Sequence, residues 1–254
     1  MPFEYTEDPT PFSTHRPWPL PRGPWVMAQR WTNLLFAHWP VSSNALRALV
    51  PEALALDLFE KQAWITITPF YLSHLRPPGV PSVPWLSEFP ELNVRTYVTL
   101  DDKPGVFFFS LDAGSALAVE GARVLFHLPY FRADMSVLSE SDGTIAYHSR
   151  RTHDGAPAAE LRARYRPMGG ASESALGSVD NWLTERYCLY AVDRERRIHR
   201  AEIHHRAWSL RSAEAVFEVN TMAEAAGVPV HGVPSRLSFS RRLDVVVWPP
   251  KVVA

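Results

Sequence analysis

Cysteine and lysine are scarce in this chain. Cys188 is the only cysteine among 254 residues, which excludes an intrachain disulfide and any C-x-x-C redox or metal motif. Lysine occurs only at Lys61, Lys103 and Lys251, so a Schiff-base mechanism has few amines to draw on. The other cations are arginines, and the net charge is -1. That balance argues against a nucleic-acid or membrane-surface binder. No apolar run approaches the roughly 20 residues of a membrane-spanning helix. The first residues are acidic and proline-rich, so no signal peptide is expected, and a soluble cytoplasmic protein is the expectation. The dinucleotide, P-loop, nucleophile-elbow and HExxH motifs are all missing; no cofactor and no metal are implied.

What is present reads as β-structure. Residues 1–24 hold seven prolines and form an extended arm, laid on a surface by Trp18 and Trp25. Strands are expected at 30–39, 53–58, 63–72, 91–100, 105–112, 122–128, 133–138, 144–151, 159–166, 187–192, 197–210, 215–220 and 237–248. The period-2 alternation of Trp64, Thr66, Thr68 and Phe70 against Ile65, Ile67 and Tyr71 is typical. Short helices are expected at 44–50, with Ser43 as cap, at 179–185, and after a Thr221-x-x-Glu224 capping box. Residues 74–90 carry five prolines and read as a long irregular connection, and residues 167–178 as a Gly/Ser loop. Regular strands without a βαβ rhythm predict a mainly β protein of α+β type: an antiparallel barrel or sandwich, one domain over 25–254.

The candidate site lies in Glu91–Val137. On a strand, Glu91, Asn93, Arg95 and Tyr97 share one face, and Leu92, Val94, Thr96 and Val98 the other. The neighbouring segments add Asp112, Arg123, His127 and Tyr130. Polar faces turned into a barrel would gather Arg95 and Arg123 with Glu91, Asp112, His127 and Tyr130. Two guanidinium groups in a concave site suit a small anion. The alternative is internal pairing, Arg95 with Glu91 and Arg123 with Asp112, because buried charge needs a partner. His204 with Glu202 reads as a hydrogen-bonded part of the lining, or as two ligands of a metal site lacking a third. Cys188 reads as a small buried hydrophobe or as a nucleophile. Arg162, Arg164 and Arg166 read as a solvated strand face. The many tryptophans and prolines, with the arm, leave room for a homo-oligomer.

Six segments carry a resemblance: Glu91–Val98, Gly105–Ala113, Ala122–Tyr130, Leu183–Tyr190, Ile203–Leu210 and Leu243–Pro250. In this order they resemble the YqjF-like family of uncharacterised bacterial proteins, over roughly residues 25–250. That family is similar in fold to acetoacetate decarboxylase, so the resemblance implies a β-rich, barrel-like domain with an interior site. Its chemistry does not carry over. The decarboxylases place a Schiff-base lysine and a second lysine just after a Gly-Phe-Pro. The matching place here is Leu128-Pro129-Tyr130-Phe131, where Tyr130 and Phe131 stand in place of the lysines. The expectation is a small anionic ligand held by Arg95 and Arg123, with Glu91, Asn93, Asp112 and His204 around it. The alternative is a lyase- or hydrolase-like enzyme acting on a β-keto or carboxylate compound, with Tyr130 or His127 as proton donor.

Overall fold

The computed structural model describes residues 6–83 and 87–254. In chain order the strands are β1 (Met27–Val41), β2 (Ala55–Leu56), β3 (Ala63–Arg76), β4 (Phe89–Leu100), β5 (Lys103–Ala113), β6 (Tyr130–Ser139), β7 (Ile145–Arg151), β8 (Glu160–Ser172), β9 (Cys188–Val192), β10 (Ile198–His205), β11 (Leu210–Asn220), β12 (Arg236–Val247) and β13 (Lys251–Val252). Four helices are described: α1 (Ser43–Arg47), α2 (Ala116–Leu125), α3 (Val179–Thr184) and α4 (Met222–Ala225). None is long and apolar enough to cross a membrane. The expected connection over 74–90 is shorter than foreseen, since β3 runs to Arg76 and β4 begins at Phe89. Its residues 84–86 lie outside the described residues.

All the described strands join one sheet, in the order β13-β10-β9-β5-β6-β7-β8-β11-β12-β1-β3-β4-β2. Two further pairings, β10 with β12 and β5 with β4, turn the sheet back on itself. One ring then passes through β4, β3, β1, β12, β10, β9 and β5, and another through β11, β8, β7 and β6. Strands β1, β3 and β4 stand in the wall between them, and their alternation supplies both sides. Leu35, Ala37, Ile65, Ile67, Leu92 and Val94 belong to one apolar core, packed with Tyr147, Leu161 and Tyr165. Leu34, Phe36, Phe70 and Leu72 face the other, with Phe89, Phe108, Leu111, Phe126 and Trp208. A strand buried on both faces reads as nearly continuous apolar sequence. The polar face of β4 departs from this, with Glu91, Asn93 and Arg95 all buried.

Most pairings are antiparallel, but β5 runs parallel to β6 and to β9. Parallel neighbours cannot be joined by a hairpin and need a crossover. Helix α2 is that crossover between β5 and β6, and it replaces the strand expected at 122–128. Ser115 caps it, its side chain accepting from the Ala118 N–H. Beyond Phe126 the chain turns through His127 at φ 55°, a left-handed stop followed two residues later by Pro129. The alternation of Arg123, Leu125 and His127 with Val124, Phe126 and Leu128 looked like a strand, but it spans the end of a helix and its exit. A smaller correction concerns Thr221, whose side chain makes no cap bond to α4. Its hydroxyl instead accepts from the Glu160 N–H, at 2.8 Å.

The β5–β9 contact is unusually close. A side chain at Gly105 would bring its Cβ to 2.6 Å from the Cys188 carbonyl, so only glycine fits there. Arg162, Arg164 and Arg166 are exposed on β8. The described part of the arm lies against β10. Arg16 and Trp18 donate to the Glu202 carboxylate, and Trp248 donates to the Gly23 carbonyl at 2.9 Å.

Candidate functional site

The ring that contains β9 and β10 is not filled. It encloses a cavity of about 430 Å³, within the range of small-ligand sites. Trp31, Phe36, Phe70, Phe89, Phe108 and Trp208 form much of its wall. Helix α2 closes one side with Leu117, Ala118, Gly121, Ala122 and Leu125. That i, i+1, i+4, i+5, i+8 spacing is a helix stripe, and it was the sequence signal for α2.

The polar atoms of the cavity come chiefly from β4, where alternation turns Glu91, Asn93 and Arg95 inward. They share a face without converging. Four residues along a strand separate the Glu91 and Arg95 backbones by about 13 Å. No ion pair joins them, and each end of the cavity has its own chemistry.

At one end, Arg95 is buried, with its guanidinium carbon 5.2 Å from the centre of the Phe36 ring. Its Nε and Nη2 have no hydrogen-bond partner among the described residues. Burial lowers its pKa, and the neighbouring Tyr97 hydroxyl opposes that shift. Arg186 lines the same cavity, but its charge is met: Nη1 donates to Asp57 and Nε to the Trp182 carbonyl. Its Nη2 is unpartnered. The Asn93 Oδ1, the Thr68 hydroxyl and the indole N–H groups of Trp31 and Trp208 are likewise buried and unpartnered. Buried polar atoms are normally satisfied, so this concentration around one space marks where a ligand's polar atoms fit.

At the other end, the Tyr130 hydroxyl donates to Glu91 Oε2 at 3.0 Å. Burial pushes the Glu91 carboxyl up to about 8, only partly offset by that hydrogen bond. Glu91 therefore carries its proton at neutral pH. Tyr130 is raised well above the usual phenol value, first by burial and then by Glu91. The Tyr147 hydroxyl donates to the Glu91 backbone carbonyl at 2.8 Å, which fixes the strand at this point.

The structure separates other expected members from this cavity. Arg123 is exposed on the last turn of α2 and donates to the Tyr130 carbonyl at 2.7 Å. His127 faces the His199 ring, with centroids 4.4 Å apart, in a separate surface cleft that also includes Arg123. Both were expected inside because 122–128 was read as a strand; the helix turns them out. Asp112 is fully buried, but its partner is Arg151 on β7, at 2.7 and 2.8 Å, and not Arg123. Phe131 lies under the same Arg151 guanidinium, 4.1 Å from its carbon.

His204 also points away from the cavity. Its Nε2 meets the Pro9 carbonyl at 3.1 Å, and its ring stacks on His15. His205 lines the cavity in its stead, since adjacent strand residues face opposite sides. Its Nδ1 donates to the Arg206 carbonyl at 2.7 Å. Burial lowers its pKa to about 4, so the ring is neutral. Glu202 is held by Arg16, Trp18 and Lys103. Cys188 is buried and its thiol is pushed up to about 12, chiefly by burial, so it is a protonated packing group. No lysine is among the described lining residues.

Doubly closed β-structure around an apolar, polar-ended cavity defines a protein of acetoacetate decarboxylase-like fold. Acetoacetate decarboxylase from Legionella pneumophila aligns with a TM-score of 0.60 at 14% identity, covering 95% of this chain and 94% of that one. The enduracididine biosynthesis enzyme MppR, complexed with pyruvate, aligns at 0.61 and 10% identity, with the same shares covered. An acetoacetate decarboxylase-like enzyme from Sphingomonas wittichii RW1 aligns at 0.60 and 11%, covering 94% of this chain and 98% of that one.

The chain belongs to the family DUF2071, described as "Uncharacterized conserved protein (COG2071)", which it matches over residues 28–244. It is 47% identical over 231 residues to the uncharacterized protein YqjF of Bacillus subtilis (strain 168), covering 91% of this chain and 93% of that protein.

Proposed function

We propose that the protein binds a small anionic ligand of carboxylate type in the β-walled cavity, with Arg95 as the anion-binding group and without Schiff-base chemistry. The observation that carries this reading is the buried guanidinium whose Nε and Nη2 have no partner. A carboxylate accepting from both replaces the missing hydrogen bonds and neutralises the charge. A neighbour of the same fold is complexed with pyruvate, itself a small carboxylate. Arg123 has no part in this version, because it lies outside the cavity. The test is a thermal-shift screen of small metabolite anions on wild type and on Arg95→Ala. An anion at about 100 times its Kd stabilises the native state by about 2.7 kcal/mol. Wild type should show a shift that Arg95→Ala lacks; absence of any shift across the screen overturns the reading.

A second reading is favoured by one observation, the contact between Glu91 and Tyr130. A carboxyl that ionises near 8 next to a phenol is a proton-transfer pair suited to neutral pH. An enzyme acting on a β-keto or carboxylate compound would hold its substrate on Arg95 and exchange a proton at Glu91 or Tyr130. Steady-state turnover of a β-keto acid panel by wild type, Tyr130→Phe and Glu91→Gln decides it. Turnover lost in both variants supports catalysis, and no turnover by wild type on any member rules this version out.

A further inference from the structure

The dimensions and charge of the cavity go further than "small anion". Its volume of about 430 Å³ is roughly three times that of an engineered core cavity that takes benzene. A carboxylate of two or three carbons on Arg95 would leave most of this space empty. The space beyond Arg95 is bounded by Trp31, Phe70, Phe89, Phe108, Phe126 and Leu128. Along β4 it extends past Asn93 to Glu91, about 13 Å of backbone from Arg95.

The charges are as informative. Four charge-bearing side chains line the cavity: Glu91, Arg95, Arg186 and His205. Arg186 is paired with Asp57, and His205 is neutral. Glu91 carries a proton at neutral pH. Arg95 is left as the one uncompensated charge, at one end only. A second anionic group on the ligand would have no cation to meet except Arg186, whose charge Asp57 already balances.

We infer that the ligand is an elongated monocarboxylate: its carboxylate sits on Arg95, and an aliphatic or aromatic body runs along the cavity toward Glu91 and Tyr130. The unpartnered N–H groups of Trp31 and Trp208 allow an oxygen on that body. This inference rests on the anion-binding reading above and adds the shape and the single charge of the ligand.

Isothermal titration of the full chain with acetate, butanoate, hexanoate, octanoate, 4-phenylbutanoate, octanamide and octanedioate tests it. Affinity should rise about fourfold per added methylene from acetate to octanoate. Octanamide and octanedioate should each bind at least about tenfold more weakly than octanoate, as should octanoate to Arg95→Met. Ala122→Phe, which fills the α2 side of the cavity, should lose octanoate and keep acetate. Equal affinity for acetate and octanoate overturns the elongated ligand and leaves the anion site standing. Octanedioate binding as tightly as octanoate overturns the single charge alone. No binding by any carboxylate, or octanamide binding as well as octanoate, overturns both this inference and the anion-binding reading.

Discussion

Replacing Arg95 with methionine should make the ligand-free protein more stable while abolishing anion binding. In the folded protein the Arg95 guanidinium is buried, and its Nε and Nη2 are unpartnered. Each buried donor left unmade costs about 1–3 kcal/mol. Against this stands its contact with the Phe36 ring, at 5.2 Å, worth about 0.5–2 kcal/mol. Methionine fills a similar volume, is apolar, and adapts to irregular space. Even a buried ion pair, whose charges compensate each other, can often be exchanged for well-packed apolar groups with an effect between neutral and a gain of about 1–4 kcal/mol. A net gain of about 2 kcal/mol is expected, which for a chain of this length raises Tm by about 4–8 °C. Urea unfolding followed by circular dichroism measures it, with an unchanged m-value as the sign that only stability moved. A loss of more than about 1 kcal/mol with the fold intact would refute the reasoning. Arg95 would then be satisfied by the protein itself, and the cavity would hold no charge waiting for a ligand.

Other outcomes follow from the same physical account. Burial keeps Glu91 protonated in the fold at pH values where the unfolded chain has lost that proton. The groups facing it are the hydroxyl of Tyr130 and, at its backbone, that of Tyr147. Its contribution to stability is therefore complete below about pH 4.5 and is lost as pH rises toward about 8. Glu91→Gln should flatten that stretch of a stability–pH profile, and an identical profile in the variant would contradict the assignment. Asp112→Ala strands the buried Arg151 guanidinium and should cost about 3–5 kcal/mol by denaturant unfolding. A cost below about 1 kcal/mol would show that the pair does not hold β5 to β7. Gly105→Ala forces a Cβ to within 2.6 Å of the Cys188 carbonyl and should destabilise by about 1–3 kcal/mol or more in a calorimetric scan. A neutral result would mean that β5 and β9 part easily.

The fold class and one wall of the site could be read from the residues. Alternation along Glu91–Val98 placed Glu91, Asn93 and Arg95 on one face because strand periodicity is a local property of the backbone. Helix α2 could have been recognised from Ser115 and the stripe Leu117, Ala118, Gly121, Ala122 and Leu125. The alternation over 123–128 imitated a strand, and that single misreading brought Arg123 and His127 to a cavity that they do not line.

What the sequence by itself determined is which side chains share a strand face and which segments are buried. The tertiary structure alone decided which faces meet. Asp112 chose Arg151 rather than Arg123 because a parallel crossover set β6 between β5 and β7. His205 entered the cavity, and His204 met the arm, because the arm covers the far side of β10. The Nε and Nη2 of Arg95 remained without a partner among the described residues, because four strand residues hold Glu91 too far away. Periodicity is written within a few residues, whereas a charge's partner depends on strand closure across the whole chain.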